Sequence, residues 1–395
     1  MKLCWLLPTD HSGGISPVAF SCCQQATANG HEATMLLLAP PTIIIGDDVR
    51  VSSLKLYASA PETPRKLLQW LYDNPQDIVF FNACSEFDPV IPYLLPTIKC
   101  VYVVHDTAPP YWHSALEDED NIEAIVAVSE TVASKFRHRL KQPQKLYVIH
   151  NGCLFPEILD KDSTRKDELI FLGGDNPTKG AFDVLKLWKQ LFLQGFRGKL
   201  HWFGNVTSEF RNKIEQLPNS EHIQVHGYVQ RDKLFSTAAS AKVLLMLSRV
   251  EPFGMATIEA MSMGCVPVAW DVDTGTKEII TANQTGLFAP LGNMQVLARQ
   301  VLYACENYHT FSNAVIERAR SDFDESVMWK SYEYLINEIS SLEPITRSKQ
   351  GQKPPKFQPP VRRFQLLHPR LRSAIREFIG RSPSLGYWLR DMRGL

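Results

Sequence analysis

Two glutamates eight positions apart, Glu251 and Glu259, stand in the stretch SRVEPFGMATIEAMSMGCVPVAW, among residues that read as buried. A carboxylate withdrawn from water needs a cation, hydrogen-bond donors or a ligand to offset its desolvation. The preceding run VLLMLS reads as a central parallel strand, apolar on both faces. Glu251 then falls at the carboxyl edge of that strand, where open α/β sheets bind their ligands. Gly254 removes a side chain just before the helix MATIEAMSMG. The backbone N–H groups of such a helix start favour an anion, phosphate above all. Spacing alone leaves a plainer reading open, in which Glu259 pairs with a base and Glu251 is a helix-terminus charge.

Other residues give weaker signals. SGGIS (12–16) follows the first strand and opens a helix, so Gly13 and Gly14 permit close backbone approach to a phosphate or sugar. A simple βα turn gives the same pattern. VVHD ends another strand at His105 and Asp106, and a lone strand-end histidine is usually a satisfied structural one. Lys179, just before a helix's first turn, is by itself an ordinary surface charge. DED (118–120) and DVD (271–273) look like the D-x-D metal motif, but one lies in an acidic loop and the other behind a strand. None of the eight cysteines forms C-x-x-C and no Cys/His cluster has zinc spacing, so reduced core thiols and no cofactor are expected.

These residues need elements to position them, and the chain alternates short strands with amphipathic helices almost throughout. Candidate strands are 2–7, 33–38, 78–82, 101–105, 124–128 and 146–150, then 169–172, 199–203, 223–225, 243–247 and 266–270. Helices fall between many of them, including 15–28, 64–72, 130–140, 181–194, 208–216 and 233–241, and two late ones at 294–306 and 326–340. Such alternation implies an α/β protein of two Rossmann-like, doubly wound halves with a hinge near 152–166 and a cleft between them. With 395 residues, two domains are also the size-based expectation. The division is 1–152, the first Rossmann-like half; 153–325, the second; 326–343, a closing helix; and 344–395, a Pro-rich linker and basic tail.

Formal charge is zero overall, yet 12 of the 42 basic and 2 of the 42 acidic residues lie in 344–395. The body is therefore acidic and the tail basic. Within the tail, Leu371, Ile375, Phe378 and Ile379 share one helical face with arginines around them. That pattern suits either an anionic membrane surface or docking on the acidic body. The longest apolar runs are strand-sized, and the first residues read as a strand, so neither a membrane span nor a signal peptide is expected.

The pattern S-x-x-E-x-F-G-x-x-x-x-E-A-M-x-x-G-x-x-P-V, followed by TGTKEII and TGLF, resembles the donor-site signature of the family-4 retaining glycosyltransferases with the GT-B fold. The resemblance runs over most of 1–343 in element order and is sharp in 169–290. It implies that Glu251 meets the donor sugar hydroxyls, that Glu259 bonds the nucleotide ribose, and that the backbone of Phe253, Gly254 and Met255 lies against sugar and diphosphate. It implies further that Lys179 binds the diphosphate and that VHGYV, with Gly227 and Tyr228, lies along the nucleobase. Gly13 and Gly14 would close over the diphosphate, and His105 would contact the sugar near its 6-position. Such enzymes need no metal.

Two departures stand out. Where relatives carry Arg five residues before the lysine this chain has Gly174, with Arg249 the nearest replacement in sequence, and Thr274 stands in place of a glycine. The activity implied is retaining transfer of a hexose from a UDP- or GDP-linked sugar to an acceptor glycan, lipid or small molecule, without nucleic-acid partners. Its setting would be cytoplasmic or peripheral at the inner membrane face. An epimerase on the same architecture and a nucleotide-sugar-binding protein without turnover are the rival readings.

Overall fold

The computed structural model describes residues 1–11, 13–42, 49–82, 84–157 and 165–359. The basic amphipathic segment around 369–380 lies outside them. The chain forms two compact units. The first takes Met1–Leu154 together with the described chain from Asp324 to 359, and the second takes Phe155–Phe323.

The first unit begins with β1 (Lys2–Leu7), α1 (Ile15–Ala28), β2 (Glu32–Leu37), β3 (Arg50–Ser53), α2 (Thr63–Asp73) and β4 (Ile78–Phe81). It continues with β5 (Lys99–Val104), α3 (His113–Glu117), β6 (Ala124–Ala127), α4 (Glu130–Phe136) and β7 (Leu146–Val148). The second unit opens with β8 (Lys166–Leu172), α5 (Ala181–Leu193), β9 (Lys199–Phe203), α6 (Ser208–Glu215), β10 (Ile223–Gly227) and α7 (Arg231–Ala238). It closes with β11 (Ala241–Met246), α8 (Met255–Ser262), β12 (Val266–Asp271), α9 (Thr276–Ile279), β13 (Leu287–Pro290), α10 (Met294–Glu306) and α11 (Tyr308–Asp322). Then α12 (Glu325–Ser340) returns to the first unit and packs on α1.

Every strand pair is parallel. The sheet orders are β3-β2-β1-β4-β5-β6-β7 and β10-β9-β8-β11-β12-β13. Each reverses direction of growth once, at β1/β4 and at β8/β11, so the loops leaving those strands diverge at their carboxyl ends and open a crevice. The strands can be apolar on both faces because helices cover both. All six residues of β5 are buried, and Trp5 of β1 stacks on Phe80 of β4 with centroids 4.3 Å apart. In the second unit Phe171, Trp202 and Trp270 anchor the core. All eight cysteines are buried free thiols.

Several elements differ from the sequence reading. β3 is a short, half-polar edge strand, RVSS, with too little apolar alternation to stand out. Helix α7 begins at Arg231 and stops at Ala238, because Ala241 already opens β11. The sequence reading also has no helix at Tyr308–Asp322, where the buried positions Tyr308, Phe311, Val315 and Ala319 recur at helical spacing among charged neighbours.

The stretch read as a linker is held down over 344–359. Lys99 Nζ donates to the carbonyls of Leu342 (2.6 Å) and Glu343 (3.2 Å), and Phe357 N donates to Pro61 O at 2.8 Å. Arg65 Nε reaches Pro354 O at 3.0 Å, and the Arg347 side chain is wholly buried. Its Pro and Lys content resembles a linker, but its backbone groups find partners at Pro61, Arg65 of α2 and Pro92.

Candidate functional site

The β8/β11 switch point of the second unit brings two loops together. After β8 the chain makes a turn at Pro177–Lys179, capped by Asn176, and then enters α5. After β11 it passes through Ser248 and Arg249 to Glu251. Arg249 N donates to Thr178 O at 2.8 Å and binds the two loops to each other. The result is a contact between residues 72 apart in sequence: Lys179 Nζ lies 2.7 Å from Glu251 Oε2. The glutamate side chain is 11% exposed and the lysine 36%. Three residues beyond Glu251, Gly254 precedes α8 with φ of 121° and no side-chain cap, so the first N–H groups of α8 have no side-chain acceptor from that position. The segment 251–254 is itself backed by the next loop, where Gly275 N donates to Glu251 O at 2.8 Å. Phe253 is buried edge-on against Phe323, which leaves its backbone as the part able to meet a ligand.

Gly174 is more than a missing side chain. Its φ is +52°, and a Cβ there would stand 2.4 Å from the Asn205 carbonyl oxygen. The neighbouring bonds explain this closeness. Gly173 N and Gly174 N donate to Phe203 O, Asp175 N donates to Asn205 O, and Trp202 Nε1 donates to Gly174 O at 2.9 Å. An arginine cannot occupy this position on this backbone. Gly174→Arg is therefore expected to lower stability by about 1–3 kcal/mol, the scale of a forced left-handed residue, without tightening anion binding. Denaturant unfolding checks this, and a tighter-binding variant of unchanged stability contradicts it.

Asn205 also reaches the other way. Its Oδ1 accepts from Tyr228 N at 3.2 Å, while Gly204 N donates to Gly227 O at 2.7 Å. The end of β9 thus fixes both the loop after β8 and the Gly227–Tyr228 segment after β10. Tyr228 itself is 79% exposed, an aromatic ring set out from the backbone that this network holds.

Glu259 is the second carboxylate. It lies on α8 and meets Arg231, the first residue of α7, with Nε 2.8 Å from Oε1. Burial pushes its carboxyl up, and the Arg231 charge and hydrogen bond pull it back down. Sequence reasoning missed Arg231; two positions after GYV and 28 before Glu259, it carries no spacing signal. Arg249, read as a replacement cation, is engaged elsewhere: Nη2 lies 2.6 Å from Asp183 Oδ2, and Trp270 Nε1 donates to that same oxygen. Both members of that pair are buried, so Arg249 joins α5 to the end of β11.

In the first unit, the loop after β1 carries Gly13 and Gly14. Both are exposed, and Gly14 precedes α1 without a side-chain cap. His105 follows β5 and is buried, its Nε2 2.9 Å from Asn82 Oδ1. The Asn82 amide nitrogen donates to the Leu6 and Phe80 carbonyls, so its oxygen is the atom turned to the histidine. This network assigns the proton to Nε2 and leaves Nδ1 as an acceptor. Burial pushes the imidazole down to about 4, and the ring is neutral near pH 7.

The acidic triplets have local duties. Glu119 accepts from Lys141 N and Gln142 N, Asp120 accepts from Gln142 Nε2, and Asp271 pairs with Lys277 at 2.7 Å. No cluster of three or more His, Cys, Asp or Glu side chains suited to a metal occurs among the described residues.

Comparison with known proteins matches Glycosyl transferases group 1 over residues 157–322 and Glycosyltransferase Family 4 over 12–153. A Salmonella typhimurium protein named as the colanic acid biosynthesis glycosyltransferase WcaL is 26% identical over 232 residues, 55% of this chain and 57% of its own. The GDP-mannose:cellobiosyl-diphosphopolyprenol alpha-mannosyltransferase of Xanthomonas oryzae is 23% identical over 205 residues, 49% and 54% of the two chains. The chain thus spans about half the length of the curated relatives it matches. Among solved structures, Anabaena HepE in complex with UDP superposes with a TM-score of 0.69 at 16% identity, covering 86% of this chain and 100% of that one. TarM gives 0.71 at 11% identity, with 85% and 99% covered. At these identities the structural likeness concerns the fold.

Proposed function

We infer the function from one premise: the chain belongs to the glycosyltransferases of group 1 and family 4, and its two parallel-sheet units have the GT-B fold of that family. We propose that it transfers a hexose from a nucleotide-diphosphate sugar to an acceptor hydroxyl, with retention at the anomeric carbon. The observation that supports this most directly is the Lys179–Glu251 pair at the β8/β11 switch point, followed by the uncapped start of α8.

In this reading Lys179 and the α8 N-terminus face the diphosphate; in the first unit, the Gly13–Gly14 loop is proposed as a phosphate-binding turn. Glu251 accepts from sugar hydroxyls and Glu259 from the ribose. Tyr228 and the Gly227 backbone lie along the base, and His105 offers Nδ1 to the sugar. The bond from the anomeric carbon to phosphate oxygen breaks, and the acceptor oxygen bonds that carbon from the same face. The acceptor's proton passes to the leaving phosphate. Positive potential from Lys179 and the helix start stabilises the charge that develops on the leaving group. That supply is the basis for proposing that no metal is required.

Relatives are named for colanic acid synthesis and for a diphosphopolyprenol-linked acceptor, which supports an acceptor in polysaccharide or glycolipid synthesis. A lipid-linked acceptor would bring the chain to a membrane surface, and the basic residues after 360 are the segment proposed to meet it there, on the cytoplasmic side. Equal sedimentation of the full chain and a 1–359 truncation with anionic vesicles would remove that part of the reading.

The test is a panel of UDP-, GDP- and ADP-sugars. A true donor is expected to raise the melting temperature, since it binds the folded state alone. In the presence of acceptor, or slowly with water, it is expected to release nucleotide diphosphate with or without EDTA. Gly174 favours one second reading, binding without turnover. Tight binding with neither transfer nor hydrolysis would establish that instead, and no binding by any member of the panel would sink both.

A further inference from the structure

Arg231 and Glu259 join two helices of the second unit. Arg231 opens α7, where its guanidinium lies 5.6 Å from the centre of the Phe235 ring one turn on. Through Nε it touches one oxygen of the Glu259 carboxyl, Oε1. The other oxygen, Oε2, has no hydrogen-bond partner among the described residues. The side chains are 32% and 12% exposed, so the pair is screened from water on the glutamate side more than on the arginine side.

The lysines and arginines on the other elements packed against α8 are otherwise engaged. Lys277 of α9 holds Asp271, Lys242 of β11 holds Asp167, and Arg320 of α11 donates to Ser262 O. Arg318, also of α11, is held by Asp322 and by the carbonyls of Glu278 and Ile279. Among the described residues, Arg231 is the cation paired with Glu259, and its charge opposes the upward push of burial on that carboxyl.

We propose that Arg231 is a positioning residue for the nucleotide: it fixes Glu259 as a charged, oriented carboxylate whose open Oε2 accepts a ribose hydroxyl. The inference rests on the reading above, in which Glu259 meets the ribose. A side-on contact through Nε suits this task, because a two-pronged pair would occupy both carboxylate oxygens. Without Arg231 the buried carboxyl would take up a proton at higher pH, and a protonated oxygen competes with the hydroxyl it should accept from. Phe235 limits where the guanidinium can go, so a lysine supplies the charge without the fixed direction.

The test compares wild type, Arg231→Met, Arg231→Lys and Glu259→Gln, with UDP, GDP and their 2′-deoxy forms as probes. Glu259 ionisation is read separately, from the 13C-carboxyl signal lost in Glu259→Gln. In Arg231→Met the carboxyl is expected to titrate at higher pH. Affinity for the preferred diphosphate should then fall by about tenfold per pH unit once the pH is below the new pKa. Wild type should stay flat over the same range, and the preference for ribose over deoxyribose should shrink in the variant. Arg231→Lys should restore the flat profile but only part of the ribose preference.

A flat profile in Arg231→Met, or a loss of equal size at every pH, overturns the proposal. So does an unshifted Glu259 signal. If wild type binds no diphosphate while the Glu259 signal still shifts, the glycosyltransferase reading has failed, and the ion pair is structural only.

Discussion

Lys179→Met is expected to reduce sugar transfer by about 10²–10³-fold, the usual cost of removing one donor aimed at developing charge. The lysine sits at the end of the β8 loop, 2.7 Å from Glu251, and is about one-third exposed. Its pair with Glu251 carries little stability: a partly solvated ion pair contributes about 0–1 kcal/mol, so the variant should melt close to wild type. The separation of these two effects is what makes the result informative. If Lys179 meets the departing diphosphate, kcat falls by more than KM rises, because the charge it answers grows in the transition state. If it only holds Glu251 in place, Lys179→Met and Glu251→Gln should lose the same factor and the double variant no more than either. Lys179→Arg separates point charge from shape, and partial recovery is expected because a guanidinium keeps the charge but not the compact form of an ammonium. Unchanged kcat in Lys179→Met would remove the lysine from the chemistry.

Much of this arrangement can be read in the chain itself, and the reason is periodicity. Strands buried on both faces appear as short apolar runs, and the alternation of runs with amphipathic segments implies parallel order. The switch point then follows from topology, and Glu251, Gly254 and Lys179 fall on its loops by position. What sequence hides is which side chains meet across loops. Glu259 and Arg231 stand on successive helices and Arg249 and Asp183 stand 66 positions apart, yet both are direct ion pairs. Nothing in spacing tells a free arginine from one already matched to a buried aspartate. Gly174 shows the complementary limit. As a letter it is an arginine lost, whereas its φ and its distance from Asn205 O make it a requirement of the loop. The Pro-rich stretch after 343 misleads for a third reason: composition describes how a segment behaves alone, and Arg347 does not act alone.

Arg347→Met is expected to destabilise the first unit by about 3–5 kcal/mol, the cost of stripping one partner from a buried ion pair. Arg347 Nη2 lies 2.9 Å from Glu123 Oε2, and neither side chain has exposed surface. Its other donors are also used, Nε on Asn121 O at 3.1 Å and Nη1 on Leu95 O at 2.9 Å. Removal would leave those carbonyls and a buried carboxylate without their partner. Glu123 Oε2 would keep the bond from Cys100 N, at 2.6 Å, while Oε1 has no partner even now among the described residues. The pH dependence has a definite sign. Burial already pushes the Glu123 carboxyl up from 4.5, with Arg347 opposing, so loss of Arg347 raises it further. Between the unfolded value and this raised one the folded state binds the extra proton, and stability therefore increases as pH falls through that window. The Arg347→Met deficit should thus be largest near neutrality and shrink on acidification towards 4.5. Adding Glu123→Gln should recover part of it at neutral pH, giving a double variant less damaged than the sum of the two. Urea unfolding at several pH values reads all three effects. A deficit below about 1 kcal/mol would show a surface strap in place of a buried clasp.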